Sequence, residues 1–308
     1  MKNILITGGT GLVGKEIKKL LDSRGYKTGI LTGRKVIQEE NSFYWDYEKG
    51  IIDDNAIEFA DVIIHLAGEN ISAKRWDKRQ KEKILNSRVG TTKLLYDAIN
   101  RNEKKPQKII SASAVGYYGA VTTDRIFDET DPPGTDFLSD VVIKWEDSVK
   151  KFKDLNVDYN LLRLGVVISP QGGALEKMIT PVKYFVGSPT GTGKQYMPWI
   201  EISDLACIFL FLVENKRENE IYNAVAPEHI DNRQFTRSLA KAIKRPMIFP
   251  PVPEWLLRLI FGEMAVIITE GSRVSSHKLL KEGFSFRYNK IDEVFKDYFG
   301  KQDNLYKQ

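Results

Sequence analysis

The chain has 308 residues, 42% of them apolar and 28% charged, with a formal net charge of +5. This is enough for one large or two modest domains around a sizeable core, and the cations are dispersed among acids, which argues against a nucleic-acid surface. Cys207 is the single cysteine and the 3 histidines lie far apart, which excludes a disulfide framework and a clustered metal site. The chain enters an apolar strand at once, and its longest apolar run, Leu205 to Val213, is too short to span a bilayer. The expectation is a cytoplasmic protein with no membrane partner.

The apolar run Ile4-Leu5-Ile6 predicts a buried strand, followed by Thr7-Gly8-Gly9-Thr10-Gly11-Leu12-Val13-Gly14. Ile17, Leu20 and Leu21 then recur at helical spacing until Gly25. Strand, glycine turn and helix together suit a dinucleotide: Gly8 for the tight turn, Gly11 for close backbone approach, Gly14 for close packing of helix on strand. The N–H groups around Thr10, Leu12 and Val13 would face the pyrophosphate at the positive helix end. A second strand ends at Thr32, followed by Arg34 and Lys35. An NAD-preferring site would place an acid here, whereas these two cations suit the 2′-phosphate of NADP(H).

Phe43 to Asp46 reads as a third strand, with Asp46 either an acceptor for the adenine amino group or a plain turn residue. Asp61 to Gly68 reads as a fourth, whose small end (Leu66, Ala67, Gly68) lets a ribose approach, with His65 packed inside. A long amphipathic helix through Ile84, Val89, Leu94 and Ile99 precedes a fifth strand, Lys108 to Ser111. Five strands alternating with helices predict an α/β fold, a Rossmann-type doubly wound parallel sheet. Further on, Tyr159 to Ile168 reads as one buried strand whose Arg163 must be ion-paired, and Gly187 to Tyr196 as a hairpin. Leu205 to Val213 reads as a core helix capped by Ser203 or Asp204, with Cys207 as filler. From Asn232 the chain reads as helices (around Phe235, Glu254 to Phe261, Leu279), the first two separated by prolines and the last preceded by Gly271 to Val274. The expected division is a Rossmann domain over 1–231, with substrate-cleft segments at about 165–200, and a small C-terminal helical domain over 232–308.

The glycine spacing resembles the fingerprint of the extended short-chain dehydrogenase/reductase superfamily. Leu66-Ala67-Gly68-Glu69-Asn70-Ile71, Ser111-Ala112-Ser113-Ala114-Val115-Gly116-Tyr117-Tyr118-Gly119, Leu162-Arg163-Leu164-Gly165-Val166-Val167 and Gly193-Lys194-Gln195-Tyr196-Met197-Pro198-Trp199 are similar to one branch of it. That branch is the atypical "epimerase family protein" group, an NAD-dependent epimerase/dehydratase-like domain with a short C-terminal domain. The resemblance spans essentially the whole chain. It implies an NADP(H)-dependent oxidoreductase or epimerase acting on a small, nucleotide-sugar-like molecule, and it allows a homodimer.

It also implies a serine after the fifth strand and a Y-x-x-x-K pair on the next helix. Ser113 matches the serine, with Ser111 nearby, and Lys144 could stand at the lysine, but Asp140 occupies the tyrosine position. The signature is therefore broken. A phenol titrates near pH 10 without help, so an acid–base role needs a cation beside it. Tyr117 is the candidate acid, with Tyr118 adjacent. The rival expectation is a non-catalytic NADP(H)-binding sensor or scaffold.

Overall fold

The computed structural model describes residues 2–33 and 40–300. The first half alternates strand and helix: β1 (Asn3–Thr7), α1 (Leu12–Ser23), β2 (Lys27–Thr32), β3 (Ser42–Asp46), β4 (Ile51–Ile52), α2 (Asn55–Phe59), β5 (Val62–His65), α3 (Lys78–Arg101) and β6 (Lys108–Ala114). It continues through β7 (Ile126–Phe127), α4 (Phe137–Lys150), β8 (Asp158–Leu164), β9 (Val166–Ile168), α5 (Ala174–Lys183), β10 (Trp199–Glu201), α6 (Ile202–Glu214) and β11 (Glu220–Ala224). The C-terminal part adds α7 (Asn232–Ala242), α8 (Glu254–Phe261), α9 (Val266–Thr269), β12 (Arg273–Val274), α10 (His277–Lys281) and α11 (Ile291–Phe299).

The main sheet has 8 strands in the order β11-β8-β6-β5-β1-β2-β3-β4. Its pairings are parallel except that of β3 with β4. Successive residues of β1 feed opposite faces, as strand geometry requires. Ile4 and Ile6 pack with Ile17 and Leu21 of α1 and Phe209 of α6, whereas Leu5 packs with Leu95 and Ile99 of α3 and Trp145 of α4. This is a doubly wound Rossmann-type sheet. The chain leaves β1 toward β2 on one side and reaches β5 and β6 on the other, so the switch point lies between β1 and β5. Ligands in open sheets of this kind bind outside the carboxyl ends there.

Four local readings are corrected. The single strand expected over 159–168 breaks at Gly165: Gly165 N–H bonds Ala224 O, but Val166 N–H bonds Pro198 O, so β9 leaves the main sheet to pair with β10. No hairpin forms over 187–196, because its flanks bridge elsewhere, Thr190 to Val252 and Tyr196 to Asp231. The Glu201 side chain caps α6, accepting from Ser203 N–H (2.7 Å) and Asp204 N–H (3.2 Å). Asp204 instead accepts from the N–H groups of Arg287 and Tyr288 and ties the C-terminal part to the sheet. Cys207 faces out from α6 and is exposed.

The C-terminal part packs in two places. α7 and α11 join α5, β9 and β10 around Phe235, Phe295 and Trp199. Met264, Phe261 and Ile267 cover Trp76, Phe137 and Leu138, at the start of α3 and α4. α7 carries a capping box, with Asp231 accepting from Gln234 N–H and Gln234 from Asp231 N–H. No helix among the described residues is long and apolar enough to cross a membrane.

Candidate functional site

The glycine turn closes between β1 and α1 as its residue types require. Gly8 sits at φ +69°, a conformation that side chains disfavour, and Gly11 N–H bonds Gly8 O at 2.9 Å. A Cβ at Gly14 would press on the Gly8 carbonyl and stand 2.7 Å from Gly9 Cα, so only glycine allows α1 this close to the turn. No side chain caps α1. Its first N–H groups, those of Leu12, Val13 and Gly14, therefore remain available to an anion beside exposed Thr10. Thr32 is buried at the end of β2. Arg34 and Lys35 lie outside the described residues.

The opposite wall, Leu66-Ala67-Gly68, is shaped by a buried relay. Thr7 Oγ1 accepts from Leu66 N–H at 3.0 Å and Ala67 N–H at 3.1 Å. The same hydroxyl lies 2.8 Å from His65 Nδ1, and His65 Nε2 lies 3.1 Å from Thr92 Oγ1. Thr92 spends its proton on Arg88 O at 2.7 Å, so His65 must donate from Nε2 and accept at Nδ1 from Thr7. His65 is fully buried, and burial pushes its pKa down to about 3. It is neutral and structural, and its relay fixes the backbone at the crevice.

Beside the second wall, toward the ends of β2 and β3, opens a cleft of about 320 Å³ lined by Gly33, Trp45, Asp46, Ala67, Gly68, Ser87 and Thr91. Asp46 sits at its rim with its Oδ2 2.9 Å from Lys49 Nζ. Its Oδ1 accepts from Glu48 N–H and Lys49 N–H, the hydrogen bonds of a turn residue. The Lys49 ammonium, together with these N–H groups, holds its carboxyl below the usual range.

On the far side of the switch point the buried groups are charged. Glu146 of α4 receives Arg163 of β8 through two bonds, Nε to Oε1 at 2.9 Å and Nη2 to Oε2 at 3.0 Å. Burial opposes the Arg163 charge, but the Glu146 carboxylate outweighs it and the guanidinium pKa is raised. Ser113 is buried at the end of β6 and donates to Glu146 Oε1 at 2.6 Å. Arg163 also donates to the Tyr118 hydroxyl (3.0 Å), which in turn donates to Asn223 Oδ1 (2.7 Å). Tyr117, half-buried, lays its ring over the Arg163 guanidinium, 3.3 Å from Cζ to the centroid. Ser113 and Tyr117 thus meet through one ion pair. The expected pairing of Arg163 is present, and its acid is Glu146.

Lys144 is not brought there. It sits on the outer face of α4, 2.7 Å from Asp140, with both side chains about half exposed (52% and 54%). At 3.6 residues per turn, positions 144 and 146 point to opposite sides of the helix, and it is Glu146 that faces inward. The α4 positions that approach the turn after β6 are Leu138 and Val142, near where a Cβ on Gly116 would project. That face carries neither a phenol nor an ammonium. Toward the C-terminal part, Lys177 Nζ donates to Ser72 Oγ at 2.9 Å and bridges α5 to the loop after β5, while Arg75 lies against Gly262.

Sequence reasoning missed Glu146 and the coupling of Thr7, His65 and Thr92. A signal for Glu146 existed, since a buried arginine demands an acid and α4 offers one at an inward position. The threonines gave none, because a hydroxyl in a strand or helix reads the same whether or not it meets a histidine.

Comparison with known proteins agrees with this geometry. Residues 4–224 match the NAD dependent epimerase/dehydratase family, and residues 252–298 match a domain of unknown function, DUF1731. An epimerase family protein of Staphylococcus haemolyticus is 35% identical over 299 residues, covering 96% of this chain and 99% of its own. The mouse epimerase family protein SDR39U1 is 33% identical over 298 residues, 96% of this chain and 98% of its own. The crystal structure of human SDR39U1 with NADPH superposes with a TM-score of 0.87 at 29% identity, covering 97% of this chain and 99% of that one. This chain therefore belongs to the NAD dependent epimerase/dehydratase family, as an epimerase family protein with a C-terminal DUF1731 segment.

Proposed function

We propose that the protein binds NADP(H) across the carboxyl ends of β1 and β5 and uses it in an oxidoreductase or epimerase reaction on a small, nucleotide-sugar-like molecule. The observation that carries this reading is the uncapped start of α1 packed on a glycine turn that excludes any Cβ at Gly14. Gly8, Gly11, Gly14 and the N–H groups after Thr10 would hold the pyrophosphate, and Leu66, Ala67 and Gly68 the ribose side. The choice of NADP(H) over NAD(H) rests on Arg34 and Lys35 in the sequence, and the human relative crystallised with NADPH supports it. When bound, such a cofactor supplies hydride acceptance or donation, transient and returned in an epimerase, net in a reductase.

This chain's own residues confine the acid–base work to few places. The Ser113 proton goes to Glu146, so Ser113 offers a ligand lone pairs rather than a proton. Tyr117 is the phenol left near the crevice mouth, held over Arg163. One observation favours a second reading, an NADP(H)-binding sensor without turnover: Leu138 and Val142 occupy the inward face of α4. Calorimetric titration of the purified protein with NADPH and NADH tests the cofactor assignment, and equal or tighter NADH binding rejects NADP(H). Absorbance at the reduced-nicotinamide band during a metabolite screen separates the two readings. A substrate-dependent change supports the enzyme, and silence with cofactor bound supports the sensor.

A further inference from the structure

A desolvated cation stands at the crevice without an acid. Arg88, half-buried on α3, donates from Nη1 to Ile84 O of its own helix at 3.0 Å. That is its hydrogen bond among the described residues, and no carboxylate reaches it: the nearby Glu69 pairs with Lys83 at 3.3 Å. Burial pushes the guanidinium pKa down to about 10, with Glu69 opposing at longer range. A guanidinium carries a fork of N–H donors, and stripping water from them without replacing it is unfavourable.

Its position indicates what replaces the water. The Cβ direction of Gly68 points at this side chain, and an ideal Cβ there would stand 3.4 Å from Arg88 Cγ and Cζ. Arg88 therefore runs along the backbone of Gly68, and while its neighbour Ser87 faces the cleft that reaches to β3, Arg88 turns about 100° away from it around the helix, toward α4. Its other flank is α4, where the guanidinium stacks over Trp145, 5.2 Å from Cζ to the ring. Trp145 lies one turn beyond Val142, on the α4 face that offers no cation. The carbonyl of Arg88 is also the end of the Thr7–His65–Thr92 relay, so the residue is fixed at its backbone as well as by stacking. α4 lies toward β6 and β8, away from β2 and β3, so Arg88 is on the half of the crevice opposite the adenine-side strands.

We propose that Arg88 is a dinucleotide-binding residue: its guanidinium takes the phosphate and ribose oxygens on the nicotinamide side, giving α3 the cation that α4 lacks. The ligand class is an anionic ribose–diphosphate, for which a forked donor is suited. This rests on the nucleotide reading above. It adds that the two halves of the ligand are held by separable groups, the glycine turn with the β2 end for the adenosine half and Arg88 for the other.

The test uses two probes on the whole chain. NADPH carries both halves, whereas adenosine 2′,5′-bisphosphate carries the adenosine half without the nicotinamide riboside. Arg88→Met keeps a flexible stem against Trp145 but removes the fork. The expected result is a rise of about 10- to 100-fold in the Kd for NADPH with the Kd for adenosine 2′,5′-bisphosphate unchanged. Unchanged NADPH binding overturns the proposal, and so does an equal loss for both probes, which would make Arg88 only a scaffold. Should Arg88→Met fail to fold, Arg88→Lys carries the same comparison, with a smaller loss expected for NADPH alone and equal affinities overturning it. Wild-type protein that ignores NADPH sinks the nucleotide reading and this inference together, whereas a binding wild type with an indifferent variant sinks the inference alone.

Discussion

The two sides of the switch point are built on opposite principles. The side of β1, α1 and the end of β5 works by leaving side chains out: Gly8, Gly14, Ala67 and Gly68 expose backbone, and the buried polar groups there, Thr7, His65 and Thr92, are neutral. The side of β6, α4 and β8 works by putting charge in, with Glu146 and Arg163 locked together and Ser113, Tyr117 and Tyr118 arranged on them. A nucleotide's phosphates need bare N–H groups, so the first side is open to a ligand. On the second, charges that chemistry could use are committed to one another, and the α4 face toward the turn is apolar. Arg88, between the two, is a desolvated cation whose hydrogen bond among the described residues goes to a backbone carbonyl rather than a carboxylate.

Breaking the charged side should have the largest effect. Glu146→Ala leaves Arg163 buried without its acid, and loss of one partner of such a pair costs about 3–5 kcal/mol. Denaturant unfolding should show that loss, and a variant as stable as wild type would mean the pair is not what organises this side. Next, Gly14→Val forces side-chain atoms onto the Gly8 carbonyl. Overpacking of this kind costs about 1–3 kcal/mol. The folded fraction should also lose the thermal protection that NADPH gives wild type, and intact protection would refute the role given to the glycine turn.

Acid sharpens the contrast from the neutral side. The folded pKa of His65, about 3, lies below its ordinary 6.5, so the unfolded chain takes up the proton more readily. Its stabilising effect is complete above about pH 6.5 and is lost as pH falls toward 3. Thr7 Oγ1 already accepts two N–H groups, so a protonated Nδ1 finds no acceptor there. A shift of this size corresponds to a contribution on the order of 5 kcal/mol across that range. His65→Gln should be less stable at neutral pH but show a shallower acid slope. A slope as steep as wild type would assign the acid sensitivity to other groups. The smallest effect is expected at Lys144→Ala, because an exposed helical pair contributes about 0.3–0.5 kcal/mol. NADPH affinity should be unchanged, and a large loss would return Lys144 to the site.

Where the sequence was read correctly, one residue type had one use. A strand of Ile4, Leu5 and Ile6 running into Gly8, Gly11 and Gly14 can form little else, and Glu254 to Phe261 is helical over the span expected, between a proline and Gly262. Arg163 in an apolar run announced an ion pair. The readings that failed concerned partners distant in the chain. Glu201 displaced Ser203 and Asp204 as the cap of α6 because β10 delivers its carboxylate to the N–H groups, while residues 287 and 288 claim Asp204. The break at Gly165 depends on Pro198, and Cys207 is exposed because the packed side of α6 is set by α1.

The sequence by itself determined the doubly wound sheet, the turn that suits a pyrophosphate and the absence of a Y-x-x-x-K pair, since each depends on local residue types and on periodicities of two or 3.6. Tertiary structure alone decided which charges are committed and which remain available. Lys144 and Glu146 are two residues apart, yet one meets solvent and the other Arg163; Arg88 reads as one more helical cation until α4 and Gly68 close around it. Burial and partner choice are set by residues far away in the chain, and a charge acquires its energy from those surroundings rather than from its neighbours in sequence.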